Sequence, residues 1–473
     1  MAWFETRRRG RGFVVALAVV SCTACVTTTP VDESLEAELS SGRYDRALDL
    51  VAADRRSADR LLTLLQRGHV LHYAGRFDES NAAFQQAEDL AADLYTRSVS
   101  RQAASILTND LTIEYRAEPF ELAMVPYYRA FNYLSLGDPD GAQVEARKAT
   151  LTLADAVEAT VRELDRPEDR AAAERLGDNG FLHWFSGLLY ESDGALNDAF
   201  IAYRNAARAY LATRDLTGLA PPADLGRDLE RVGLAIGFRD EVEQLRTEAP
   251  ELFEGVAPRP AASGEVVLVL EGGWVARKQE TMLNLPILDV DRRYGSQEAW
   301  AEAMVGRASS GWSAGPGVSV DYWLTVAMPT MGPSSTGTVV SARISAAGIR
   351  ESTVPVDDLT RRAVATFEAK RGTILFRTIL RALAKYAATE AAARENEVAG
   401  VLVNLFGVVT ERADTRCWGT LPDRLSMARL QLPAGDHEVT IDYLDHSGVA
   451  VTSETVPVRI EAGGLAFLNR RPF

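Results

Sequence analysis

A chain of 473 residues with 47% hydrophobic content and a formal charge of −15 has room for roughly two or three cores. So acidic a chain excludes the broad basic footprint of a nucleic-acid binder, and its three cysteines exclude both a disulfide framework and zinc-type cysteine spacing. Beyond residue 21 no apolar run approaches the roughly 20 residues of a membrane-spanning helix.

The first residues form three parts. Arg7, Arg8, Arg9 and Arg11 make a positive segment, Phe13 to Val20 is an unbroken apolar run, and Ser21, Cys22, Thr23, Ala24 and Cys25 follow. That order is a secretory leader, and its apolar run is too short for a permanent span. Val19-Val20-Ser21-Cys22 resembles a lipobox, which implies acylation of Cys22, with Cys25 as the alternative acceptor. At about 0.8 kcal/mol per buried methylene, two or three acyl chains anchor durably. Neither Thr23 nor Val26 is aspartate, which by analogy with lipoprotein sorting implies the periplasmic face of the outer membrane. Removing residues 1–21, with four arginines and one glutamate, takes the charge from −15 to −18. Anionic lipid repels such a body, so attachment falls to the lipid. Cys417 is expected to be a free, partly buried thiol.

From Leu35 to about Arg246 the apolar spacing is helical. Gly75, Phe77, Ser80, Phe84 and Ala87 form a frame of turn glycine, aromatic, small, large and small residues, with Gly68 as the small residue that lets two helices approach. The frame recurs at Ala130, Gly137, Ala142, Ala146 and Ala149, and at Gly187, Gly194, Ala199, Tyr203 and Ala206, with a partial copy at Gly42, Tyr44 and Ala47. This is the pattern of tetratricopeptide units, whose stacking makes the core. The wider intervals between the later turn glycines predict extra helices or loops at Pro119–Pro126 and Asp165–Asp169. On the face where such repeats hold a partner, the candidates are Tyr127, Tyr128, Asn132, His183 and Trp184, weighed against core packing. His69 and His72 share a helix but lack a third metal ligand.

Pro250 to Gly264 reads as a linker. Glu265–Leu270 is a buried strand, and further strands are expected at Tyr322–Ala327, Val339–Ile344, Ala428–Leu432, Glu438–Tyr443, Val449–Val458 and Leu465–Leu468. The closing turns are spaced as in a sandwich. Asp357 to Asn396 is helical, with Gly372 as a joint between two helices. Val398 to Val409 reads as a further buried helix. Arg377, Arg381 and Lys385 make a basic stripe, either a solvated face or a contact for an anionic partner.

No catalytic motif emerges. Gly311–Gly317 lacks the lysine and helix start of a phosphate loop. Asp289 and Asp291 have no histidine beside them, and His437 and His446 sit in predicted turns. There is no nucleophile elbow or zincin motif.

The blocks Tyr128–Asp138, Gly187–Glu191 with Asp198–Arg204, and Asp414–Pro422 resemble an uncharacterised family of proteobacterial lipoproteins with tetratricopeptide-like repeats. The expectation is an α+β multidomain protein, a repeat α-solenoid followed by an α+β and β-sandwich-like region. Its parts are a leader (1–21), a tether (22–34), a helical repeat domain (35–249), a linker (250–264), an α+β domain (265–422) and a sandwich-like module (423–473). The expected role is a non-enzymatic, lipid-anchored envelope scaffold with no cofactor and no nucleic acid. It would bind envelope proteins through the repeats; the alternatives are peptidoglycan binding through the C-terminal region and, further off, hydrolysis.

Overall fold

The computed structural model describes residues 30–53, 56–97, 113–164, 166–254, 263–288, 291, 294–310, 319–395 and 412–473. The leader, Cys22, Cys25, Asp289, Gly311–Gly317 and Val398–Val409 lie outside them, and so do the expectations attached to them.

The N-terminal half is a series of helical hairpins: α1 (Pro30–Ser40) with α2 (Tyr44–Ala53), α3 (Arg60–Tyr73) with α4 (Phe77–Arg97), and α5 (Pro119–Ser135) with α6 (Pro139–Glu163). After a short α7 (Pro167–Arg175) come α8 (Gly180–Ser192) with α9 (Leu196–Thr217), then α10 (Ala223–Ala235) with α11 (Arg239–Glu248). Gly42, Gly75, Gly137 and Gly194, the glycines of the sequence frame, all sit at hairpin turns with φ between +67° and +76°. A side chain there would meet the left-handed penalty of roughly 1–2 kcal/mol. The approach glycines act as expected too. A Cβ on Gly68 would lie 2.7 Å from the Phe84 ring, and one on Gly187 would lie 2.4 Å from the Tyr203 ring. Ser80 donates to the Gly68 carbonyl at 2.7 Å, fastening the same crossing.

Two local expectations change. Pro119–Pro126 is not an insertion but the first half of α5. Pro119 occupies the first turn, where its missing N–H costs nothing, and Glu118 and Glu121 close a capping box around it. The expected extra helix near Asp165–Asp169 is α7.

The C-terminal half holds ten strands among the described residues. One four-stranded sheet has the order β10-β1-β7-β6 (Leu465–Arg470, Ser263–Gly272, Arg424–Pro433, Val354–Asp358), with β10 parallel to β1 and the other pairs antiparallel. A second has the order β5-β4-β8-β9 (Ile349–Ser352, Ser341–Ala346, Gly435–Leu444, Ala450–Ile460). The two enclose a core of Val266, Leu268, Leu270, Ile344, Leu430, Leu432, Ile441 and Ile460. The other face of the first sheet, with Val267, Val269, Leu425 and Met427, packs on the helices in one continuous core with Tyr127, Phe181, Trp184 and Tyr203. Coverage on both faces explains why β1 is an apolar run rather than an alternation.

Because β1 lies between β10 and β7, residues 265–422 and 423–473 are not separate modules; the boundary at 422/423 falls inside one sandwich. Nor is 250–264 all linker. Pro250–Phe253 is a 3-10 turn packed so closely on α10 that a Cβ on Gly226 would overlap the Leu252 carbonyl, and Ser263 and Gly264 belong to β1.

The ribbon β2 (Lys278–Leu288) and β3 (Val320–Met331) packs with α12 (Gln297–Ser310) and the second half of α13 (Leu359–Glu395) through Ile287, Met304, Val326, Ile379 and Leu383. Helix α13 runs unbroken for 37 residues, so Gly372 is not a joint. Its missing side chain instead admits the Arg166 guanidinium, 3.1 Å from where a Cβ would be.

Candidate functional site

The residues expected to face a partner lie instead between the helices and the first sheet. Tyr127 and Tyr128 on α5 and Trp184 on α8 are fully buried, as is Asn132. The sheet fills the face on which they stand, so they cannot serve as open partner contacts. Their hydroxyls explain the placement: Tyr127 and Tyr128 donate to Glu271 of β1 at 3.0 and 3.1 Å, and Tyr73 donates to the same carboxylate. Asn469 of β10 donates to Glu271 at 2.7 Å and to the Tyr127 oxygen at 2.9 Å. A buried carboxylate is tolerated here because four donors converge on it.

Tyr73 fixes a tautomer. Its one proton goes to Glu271, so His69 Nε2, 2.9 Å away, must be the donor to the Tyr73 oxygen, leaving Nδ1 to accept from Thr420 Oγ1 at 2.9 Å. Burial, with Arg471 and His72 nearby, holds His69 well below its ordinary range, and burial likewise pushes the Tyr73 hydroxyl well up. Arg471 completes the cluster, donating to Tyr73 (2.9 Å), the Thr420 carbonyl (2.8 Å) and the Gly273 carbonyl (2.7 Å) while lying 4.2 Å over Trp274. His72 Nδ1 meets Asn132 Oδ1 at 2.7 Å, and Asn132 donates to Ser80 and Asn81, both at 2.9 Å. The members come from α3, α4, α5, β1, β10 and the segments beside them and are buried or half-buried, so the cluster binds the two halves of the molecule to each other.

A second polar contact lies further along the same seam. Arg429 of β7 is fully buried between Asp228 of α10 and Glu265 of β1, and pairs with both. Trp184 donates to Asp228 at 2.9 Å, and Arg231 bridges Asp228 (3.0 Å) and Glu191 (2.6 Å). Burial raises the Asp228 carboxyl, but Arg429 and Arg231 outweigh it and hold it below its ordinary value.

The remaining candidates are also engaged. His183 is largely covered, with Nε2 2.7 Å from Asp178. Arg381 is buried, Arg377 and Lys385 are half-buried, and all three have partners, so they do not form a solvated basic stripe. The packing of α13 on the ribbon and α12 covers that part of the helix. His437 contacts the Pro433 carbonyl at 2.8 Å, and Asp291 is paired with Arg307. Cys417 is buried.

One open feature remains beside this seam. A groove of about 590 Å³ runs along β7. Its floor is Met427–Pro433, one wall is Ile349 and Glu351 of β5, and the other is Asp224 and Arg227 of α10. Arg227 pairs with Asp224 at 3.0 Å. Partial burial and then Asp224 raise the Glu351 carboxyl above its ordinary value. Sequence reasoning passed over these residues, because neither the four-residue β5 nor the single polar turn of α10 carries a pattern of its own.

Among the described residues no cluster of three or more His, Cys, Asp or Glu could hold a metal, and no helix is long and apolar enough to cross a membrane. No family model and no curated protein matches the chain. Among solved structures, the crystal structure of BtubC (BKLC) from P. vanneervenii aligns at 16% identity over 49% of this chain and 82% of that one, with a TM-score of 0.30. At that score the likeness carries no argument about function.

Proposed function

We propose that the chain is a lipoprotein held by acylated Cys22 at the periplasmic face of the outer membrane, and that its body binds a protein partner without catalysis, at the groove beside β7. The leader residues Arg7–Arg11, Phe13–Val20 and Val19-Val20-Ser21-Cys22 support the anchoring. The tetratricopeptide-like reading of the helices is supported by the four turn glycines and by the close crossings at Gly68 and Gly187. The observation that carries the proposal is a contrast in access. Tyr127, Tyr128 and Trp184 are fully covered by the protein's own sheet, whereas the groove is open and walled by both halves.

The test has two arms. Mass spectrometry of the mature N-terminus is expected to find acyl chains on Cys22, and Cys22→Ser is expected to release the protein from membranes. A photo-crosslinking residue at Ile349 is expected to capture a discrete envelope protein that the same residue at exposed Arg459 does not. An intact leader on cytosolic protein, or equal capture at both positions, would overturn the proposal.

A further inference from the structure

Strand β7 is paired unequally on its two sides. Along its whole length it is bonded to β1, from Ser263↔Pro433 to Gly272↔Arg424. On the other side β6 reaches only from Arg424 to Met427. From Ala428 to Pro433 that side has no sheet partner, and alternate residues of an antiparallel strand turn their N–H and C=O groups outward. Such an edge is usually guarded by proline, an exposed lysine or a covering element. Here Pro433 stands only at the end of the stretch, and Arg429 points inward to Asp228 and Glu265.

The edge is also sunken. Ala428, Leu430 and Leu432 are at most 2% exposed, and the chain lies between β5 and α10 as the floor of the groove. With walls on both sides, the edge suits a single extended chain rather than a second folded sheet. The walls define what that chain carries. Ile349 and Glu351 alternate on β5 with Glu351 opposite Ile344, whose side chain is in the sandwich core. Both therefore lean from β5 toward the space beside β7. Ile349 and Val354 at the rim are 40% and 45% exposed. On the facing side, Arg227 is shared by Asp224 and Glu265, and Arg429 by Asp228 and Glu265, so Arg227 only partly offsets the exposed Glu351.

We propose that Ala428–Pro433 is a strand-addition site for an extended segment of a partner protein, apolar at alternate positions and carrying a lysine or arginine between them for Glu351 and Asp224. Main-chain bonds to β7 supply affinity, and the side-chain positions supply selectivity. The proposal rests on the groove being the binding surface and adds the mode of binding and the chemistry of the occupant.

The probe is a fluorescein-labelled peptide of alternating valine and lysine, added to the full chain. Binding is expected with hydrogen-exchange protection at residues 428–433. Methylation of alternate peptide nitrogens, or a valine–glutamate version, is expected to weaken it by at least about tenfold, a loss of about 1.4 kcal/mol. Glu351→Lys, at an exposed position, is expected to reverse the preference between the lysine and glutamate peptides. Ile349→Lys is expected to weaken both. Equal affinity of the methylated peptide, or protection outside 428–433, would overturn strand addition while leaving crosslinking at Ile349 as independent support for the groove. Absence of binding by either peptide at millimolar concentration would overturn the proposal. Protection of 428–433 that rises with protein concentration alone would overturn it in favour of a second copy of this chain.

Discussion

The two faces of the first sheet are built from the same strands and solve different problems. Toward the second sheet, β1 and β7 present a mainly apolar face of Val266, Leu268 and Leu270, with Ala428, Leu430 and Leu432 and with Ser426 opposite Leu270. Toward the helices the same strands set Val267, Val269 and Met427 among Glu265, Glu271 and Arg429, all buried. An apolar face stabilises in proportion to area and tolerates sliding, since any close packing will do. A face with buried charges has one docking position, because every other leaves a charge unpaired. The sandwich face therefore supplies cohesion, and the helix face fixes where the helices sit.

The largest effect is expected on the helix face. Arg429→Met removes the cation between two buried carboxylates, leaving Asp228 to Arg231 and Glu265 to Arg227, and should cost about 3–5 kcal/mol in chemical denaturation. Adding Asp228→Leu and Glu265→Leu should recover most of that loss. If the triple variant stays as unstable as the single one, the charges do more than set position. On the sandwich face, Leu430→Ala should cost about 2–5 kcal/mol through the cavity it leaves, with no dependence on pH between 4 and 8.

Acid should separate the faces further. Burial raises Glu118, but Lys370 and Lys278 (2.5 and 3.1 Å away) hold it down at about 2. A depressed carboxylate stabilises above its unfolded value near 4.5, and the roughly 3 kcal/mol is lost as pH falls from there through about 2. Glu121, raised by its burial and by Glu118, acts with the opposite sign and blunts the slope. His69 adds a higher window. Its folded value is depressed, so its contribution is complete above about 6.5 and declines as pH falls below that. His69→Gln should flatten stability between pH 6.5 and 5, and Glu118→Gln should flatten it below 4.5. A slope unchanged by both would show that other groups control acid unfolding. Two smaller effects test the helical hairpins themselves. Gly187→Ala drives a methyl into the Tyr203 ring and should cost about 1–3 kcal/mol. Gly75→Ala meets open space but a φ of +71° and should cost about 1–2 kcal/mol.

The hairpins were legible because a helix crossing leaves local marks. Gly68 opposite Phe84 and Gly187 opposite Tyr203 recur at fixed distances from their turn glycines. The fifth hairpin, turning at Gly237 with φ +86°, escaped because Glu230 and Val242 stand where the frame has small residues. β1 was legible from its apolar run. β2 was not, since Lys278–Glu280 reads as polar loop until β3 pairs with it. The seam was invisible for another reason. Glu271 sits in a Glu-Gly-Gly turn signal, and nothing local reveals that Tyr73, Tyr127, Tyr128 and Asn469 will converge on it. Tyr127 and Trp184 were candidates for surface contacts because an aromatic on a repeat face looks the same whether its partner is another molecule or another part of the same chain.

The parallel pairing of β10 with β1 carries a consequence for how the molecule is made. Leu465–Arg470 must be synthesised before β1 gains that neighbour, and Asn469 and Arg471 before the Glu271 cluster closes. Until then the helices, emerging first, hold Tyr127, Phe181 and Phe185 without the sheet that covers them. Contacts so distant in sequence form slowly, and waiting apolar surface invites aggregation. The nascent chain thus passes through a long vulnerable interval in which a chaperone has something to hold.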